Sequence, residues 1–119
     1  MEKFNLYEKS GLIDEYWSPK IVGELNGQHV KLAKLKGEFV WHEHEMEDEL
    51  FLVLRGRLTI QFRDGDVLLE QGACLVIPRG VEHRPLAEEE VSNLLFEPAG
   101  TLNTGTVRSQ HTQENLDRL

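Results

Sequence analysis

The sequence predicts an all-β protein, a sandwich or barrel, on three observations. Short apolar or alternating runs are separated throughout by Gly, Asn, Asp and Pro, the rhythm of strands and turns. The pair Asn26-Gly27 stands between two such runs, a strong hairpin signal. Between the two ends, no long stretch carries the 3.6-residue apolar period of an amphipathic helix.

Taken in order, Phe4 to Trp17 forms a short helix or an irregular arm. Lys20 to Leu25 and His29 to Leu35 are the arms of the Asn26-Gly27 hairpin. Phe39 to His42 reads as a strand. Leu50 to Leu54 and Leu58 to Phe62 flank Gly56, and Asp64-Gly65-Asp66 makes another turn. Val67 to Leu69, Cys74 to Ile77, His83 to Leu86 and Val91 to Glu97 complete the strands. After Pro98 the chain carries Gly, Thr and Asn and then a polar end, a flexible tail or a terminal helical turn.

The 119 residues suit one domain, 1–119, with room for a single modest core. Thirteen Lys and Arg stand against 21 Asp and Glu, a formal net charge of −8. That balance excludes the cationic surface on which nucleic-acid binding rests. The one cysteine, Cys74, allows no intrachain disulfide and fits a reducing cytosol. Its apolar run, Cys74 to Ile77, predicts a buried small hydrophobe rather than a nucleophile. Met1 to Asn5 lacks a basic stretch leading into an apolar region, and no run approaches membrane-spanning length. No signal peptide or membrane helix is expected, and the expected location is the cytoplasm.

His42, His44, Glu49 and His83 form the candidate site. Alternate side chains on a strand share a face, so His42 and His44 can both point inward while Glu43 points away. Glu49 opens the next strand after a polar loop, and Phe51, Val53 and Arg55 share its face. His83 follows Pro78-Arg79-Gly80, a turn that can return a third imidazole from a distant strand. Three neutral imidazoles and a carboxylate suit one divalent transition metal, with Fe, Mn, Ni and Zn all admissible. Such a set leaves a position open for water or substrate. Asp48 competes with Glu49, since a one-residue shift swaps them. Glu43, Glu45 and Glu47 read as a solvated loop, and His29 and His111 as surface or packing histidines. Phe39, Phe51 and Ile60, with Trp41, are candidate walls of a substrate pocket. Arg55 is a surface residue near a turn.

The two segments resemble the paired motifs of the cupin superfamily. The first runs Gly37, four residues, His42, one, His44, four, Glu49, six, Gly56. The second runs Gly72, five residues, Pro78, one, Gly80, two, His83. The motif core spans residues 37–87. The first gap is one residue shorter than the usual family pattern, and Ala87 stands where the second motif often ends in Asn. The resemblance implies a double-stranded β-helix, or jelly roll, around a metal held by His42, His44, Glu49 and His83. The chain looks most like the small single-domain cupins, often labelled sugar-phosphate isomerase-like. Their relatives include dioxygenases, decarboxylases, isomerases, lyases and ligand binders, so fold alone does not set function. A carboxylate beside three histidines resembles quercetin-type and acireductone-type dioxygenase sites, and Glu49 argues against a thiol dioxygenase. The expected function is therefore a metal-dependent, dioxygenase-type enzyme on a small oxygenated molecule. The alternatives are a sugar or sugar-phosphate isomerase or a non-catalytic small-ligand module. A homodimer is expected, with Leu50, Leu52 and Leu54 as a candidate apolar face.

Overall fold

The computed structural model describes residues 1–119. One short helix, α1 (Leu6–Ser10), precedes seven strands: β1 (Lys20–Leu25), β2 (Gln28–Glu38), β3 (Glu49–Arg55), β4 (Leu58–Phe62), β5 (Gly65–Leu69), β6 (Cys74–Ile77) and β7 (His83–Pro98). Every pairing between strands is antiparallel. The order β1-β2-β7-β3-β6 makes one layer, and β4 joins β5 to β7 in the other. The seven strands fold over one another into the expected all-β jelly roll.

Strand β7 ties the layers together. Its C-terminal half lies between β2 and β3, while residues 83–86 pair with β4. The two strands expected at His83–Leu86 and Val91–Glu97 are thus one. No Gly or Pro lies between them, and the exposed run Glu88-Glu89-Glu90 carries the chain from one layer to the other. The expected strand Phe39–His42 is instead a loop that follows the end of β2. Gly37 takes φ 85° at a register shift against β7. Beyond it, Phe39 N–H donates to the Pro85 carbonyl, and His42 and His83 exchange backbone hydrogen bonds of 3.0 and 2.9 Å.

Alternation sorts side chains into two apolar layers. Inside the barrel, Phe51, Val53, Leu58, Ile60, Val91 and Leu95 pack with Trp17 and Phe39. On the outer face Leu32, Leu54 and Leu94 pack with Ile13 from the N-terminal arm, and Leu50, Leu52 and Leu6 lie beside them. α1 begins at Asn5, whose side chain accepts from Tyr7 and Glu8 N–H at 2.9 and 3.1 Å, a cap of about 1 kcal/mol. Cys74 is exposed, contrary to the sequence expectation. It pairs with Leu52 on β6, the edge strand, where no further strand or loop covers it.

The tail after Pro98 is neither helical nor detached. Asp117 and Leu119 exchange backbone hydrogen bonds of 2.9 Å with Ile21. Gly105, at φ 58°, packs so closely on the loop of the two motif histidines that a Cβ there would collide with the Glu43 carbonyl.

Candidate metal centre

Four side chains converge inside the barrel. One ligand atom from each of His42, His44, Glu49 and His83 lies within 4.8 Å of the others, and all four residues are buried. The β3 register separates Glu49 from its neighbour. Glu49 points inward, while exposed Asp48 accepts from the Arg79 backbone N–H at 2.9 Å.

Backbone carbonyls orient two of the imidazoles. His42 Nδ1 lies 2.9 Å from the Val40 carbonyl, and His83 Nδ1 lies 2.8 Å from the Val81 carbonyl. A carbonyl only accepts, so each Nδ1 carries the proton and each Nε2 presents a lone pair. His83 Nε2 and His44 Nε2 both lie 3.4 Å from Glu49 Oε1, and none of these three atoms has a hydrogen-bond partner. Buried polar atoms without partners are rare in proteins and call for an explanation. Here all are Lewis bases aimed at one point, and the donor set fits a divalent transition metal. Burial, and then the neighbouring His83, push His42 down to about 4. It is therefore neutral near pH 7, the state a ligand needs.

A second polar layer supports Glu49. The register that pairs Leu50 with Phe96 brings Glu49 and Glu97 side by side. Glu97 Oε1 accepts from Lys31 Nζ at 2.7 Å, and Lys31 also reaches the Thr101 carbonyl at 3.4 Å. Burial and then the Glu49 charge hold Glu97 well above the usual carboxylate range, against the pull of Lys31. Burial also pushes Glu49 up. The Glu97 carboxyl beside it, and then the imidazoles of His44 and His83, outweigh it, so Glu49 sits well below the usual range. Lys31 and Glu49 thus flank the Glu97 carboxyl on either side.

Beside this cluster lies a cavity of about 40 Å³, bounded by His42 and Glu49 at one end. That volume would hold two or three waters, and a ligand the size of a benzene ring would have to widen it. Phe39 and Phe51 line it, whereas Ile60 is fully buried in the barrel core and is not among its walls. Trp41 faces outward, under the Arg63 guanidinium at 3.7 Å. Arg55 is exposed, over the Tyr7 ring. Ala87 is buried in the core and pairs with Gly37.

Sequence reading missed Trp17, Pro85, Asn93, Leu95 and Asn103, which also line the cavity. Trp17 adopts φ 58°, a strained value for a bulky residue. Its backbone N–H donates to the Lys34 carbonyl and its Nε1 to the Lys36 carbonyl, each at 2.9 Å. These bonds hold the indole stacked on Phe39, with centroids 4.8 Å apart. His111 packs its ring against Phe39 at 5.3 Å and Trp17 at 6.2 Å, as a packing histidine. His29 is buried and contacts Glu24.

A three-histidine, one-carboxylate cluster inside a jelly roll defines a cupin-type centre. The sequence model of the cupin domain matches residues 28–96, more than half the chain, and the chain belongs to that family. It is 40% identical to the uncharacterized protein YdbB of Bacillus subtilis (strain 168) over 77 residues, covering 64% of this chain and 68% of that one. A cupin-2 domain containing protein from Shewanella frigidimarina NCIMB 400 shares 46% identity at a TM-score of 0.79, over 80% of this chain and 93% of that one. The hydroquinone 1,2-dioxygenase from Sphingomonas sp. TTNP3, solved with 4-hydroxybenzoate bound, shares the fold at 17% identity and a TM-score of 0.69. That match covers 82% of this chain and 74% of that one.

Proposed function

We propose that this cupin is a metal-dependent enzyme of dioxygenase type acting on a small oxygenated organic molecule. One observation carries the reading: two residues of the metal cluster, His42 and Glu49, also form a wall of an otherwise largely apolar cavity. A ligand set of this kind, opening on a pocket, suits reaction at the metal better than purely structural binding. When bound, a divalent ion supplies Lewis acidity and, if redox-active, dioxygen chemistry. The chain's own residues set the conditions. Val40 and Val81 fix two tautomers, Glu97 and Lys31 hold Glu49, and Trp17, Phe39 and Phe51 keep the pocket apolar.

The test is elemental analysis of protein purified without a polyhistidine tag, beside His44→Ala, followed by oxygen uptake with small enols and diols. Near one equivalent of iron, manganese or nickel, lost in the variant, with uptake that the variant lacks, is the expected result. Zinc without oxygen uptake shifts the assignment to an isomerase or a ligand-binding module. No metal in either protein, even after reconstitution, removes the enzyme reading.

The whole chain acts as one domain on this reading, and its single cysteine fits the cytoplasm. A homodimer is part of the proposal. Half-buried Leu50 and Leu52 continue on the outer face to Val76, which is 58% exposed on the edge strand. A monomeric mass by light scattering at micromolar concentration would remove that part alone.

A further inference from the structure

Asn93 is 1% exposed on β7, between Ala33 on β2 and Val53 on β3. It lines the cavity, and neither its amide nitrogen nor its amide oxygen has a hydrogen-bond partner in the protein. The other amide in the cavity wall, Asn103, has both. Its Nδ2 donates to the His111 carbonyl at 2.7 Å, and its Oδ1 accepts from the Gln113 N–H at 2.9 Å. Asn103 therefore holds the tail, while Asn93 has no structural task. A buried amide with both ends unpaired weakens the fold, and a leucine of similar size would not. Such residues concentrate where stability is given up for binding.

Position and charge narrow what Asn93 can meet. Four residues of strand separate it from Glu97, the neighbour of Glu49, roughly 13 Å along β7. Asn93 is thus at the far end of the cavity from the metal cluster. The walls between are Trp17, Phe39, Phe51 and Leu95, and no lysine or arginine lines the cavity. An anionic group at the far end would be buried without a cation, which is strongly unfavourable. An amide offers one donor group and one acceptor, which suits a neutral hydroxyl or carbonyl.

We propose that Asn93 is the specificity-determining residue of the pocket. It recognises the neutral hydroxyl or carbonyl at the far end of a small, planar, largely apolar substrate whose other oxygen faces His42 and Glu49. The proposal deepens the functional reading above and rests on it for the role of the near end. It excludes a phosphate or other anionic group at the far end of the substrate.

The test uses full-length protein with and without cobalt(II), titrated calorimetrically with phenol, 4-hydroxyphenol and phenyl phosphate. Wild type should prefer 4-hydroxyphenol to phenol by about tenfold, the worth of one or two buried hydrogen bonds, and without cobalt should not bind phenyl phosphate. Asn93→Leu should lose the preference, keep its cobalt, and melt at a higher temperature than wild type. Asn93→Ala should lose the preference too, and serves if leucine does not fold. An unchanged preference in the variants, binding of phenyl phosphate by metal-free protein, no binding of either phenol by wild type, or a lower melting temperature for Asn93→Leu would each overturn the proposal. Failure of wild type to take up cobalt would instead remove the metal reading. An Asn93-dependent preference in metal-free protein would still uphold this one.

Discussion

Lys31 reaches Glu97 at 2.7 Å in a place where each side chain is only 2% exposed. Glu97 in turn lies beside Glu49. Removing the cation leaves two carboxyls buried together. Lys31→Met should therefore destabilise the fold by about 3 kcal/mol. It should also weaken metal binding ten- to a hundredfold, as loss of an outer partner of a ligand does. Urea melts and chelator competition measure the two effects. A variant with wild-type affinity would show that Glu49 needs no support.

Metal-free protein should lose stability as the pH falls from about 6.5 to about 4. Folded His42 is pushed down to about 4, while an unfolded histidine titrates near 6.5. Between those values the unfolded chain binds the extra proton, so stability rises with pH and drops on acidification. The full window is worth about 3 kcal/mol at 1.36 kcal/mol per pH unit. Glu49, held below its ordinary range, adds a further loss as the pH falls through its folded value. Denaturant melts from pH 7 to 4 on chelated protein give the slope. Glu97 works the other way, since its raised value keeps a proton in the folded protein that the unfolded chain has lost. In Glu97→Gln protein, where that opposing group is gone, a flat profile over 4 to 6.5 would contradict the burial of a neutral His42.

The choice between two adjacent carboxylates is open to a paired substitution. Asp48→Asn should leave metal content unchanged and cost at most about 1 kcal/mol, as for an exposed ion pair. Glu49→Gln should remove one charged ligand and sharply lower metal occupancy. Elemental analysis of both variants decides. Equal loss in the two would mean that β3 shifts by one residue.

Gly105→Ala places a methyl group against the Glu43 carbonyl, and the φ of 58° disfavours any Cβ by about 1–2 kcal/mol. The tail should undock. Amide hydrogen exchange should then accelerate across residues 103–113 while β2, β3 and β7 keep their protection. Unchanged exchange would show that the tail adapts in place.

The strands and the four-residue cluster were legible in the sequence because each depends on local signals. Asn26-Gly27 marks a hairpin, and the spacing of His42 and His44 marks a ligand pair, although the segment that carries them is a loop and not the expected strand. The supporting residues were not. In β2, Val30 and Leu32 alternate with Lys31, a pattern that places the lysine outside. The strand is covered on both faces, and Lys31 turns inward to a carboxyl 66 residues away. Asn93 and Glu97 are hidden the same way, since Val91 to Phe96 is apolar on both faces and shows no clean alternation. Trp17 escaped notice because its place on the wall depends on a positive φ that no turn signal announces.

The continuity of β7 has a consequence for insertions and deletions. His83, Asn93 and Glu97 all lie on this one strand, on both sides of the solvent-exposed Glu88-Glu89-Glu90. A surface segment of three glutamates would ordinarily tolerate a change of length. Here one added residue would reverse the facing of everything after it. Leu94 and Phe96 would turn inward, Asn93 and Glu97 outward, and His83 would stay in place. Two added residues would restore the parity. The length of this stretch is therefore constrained in even steps, although none of its side chains enters the cavity.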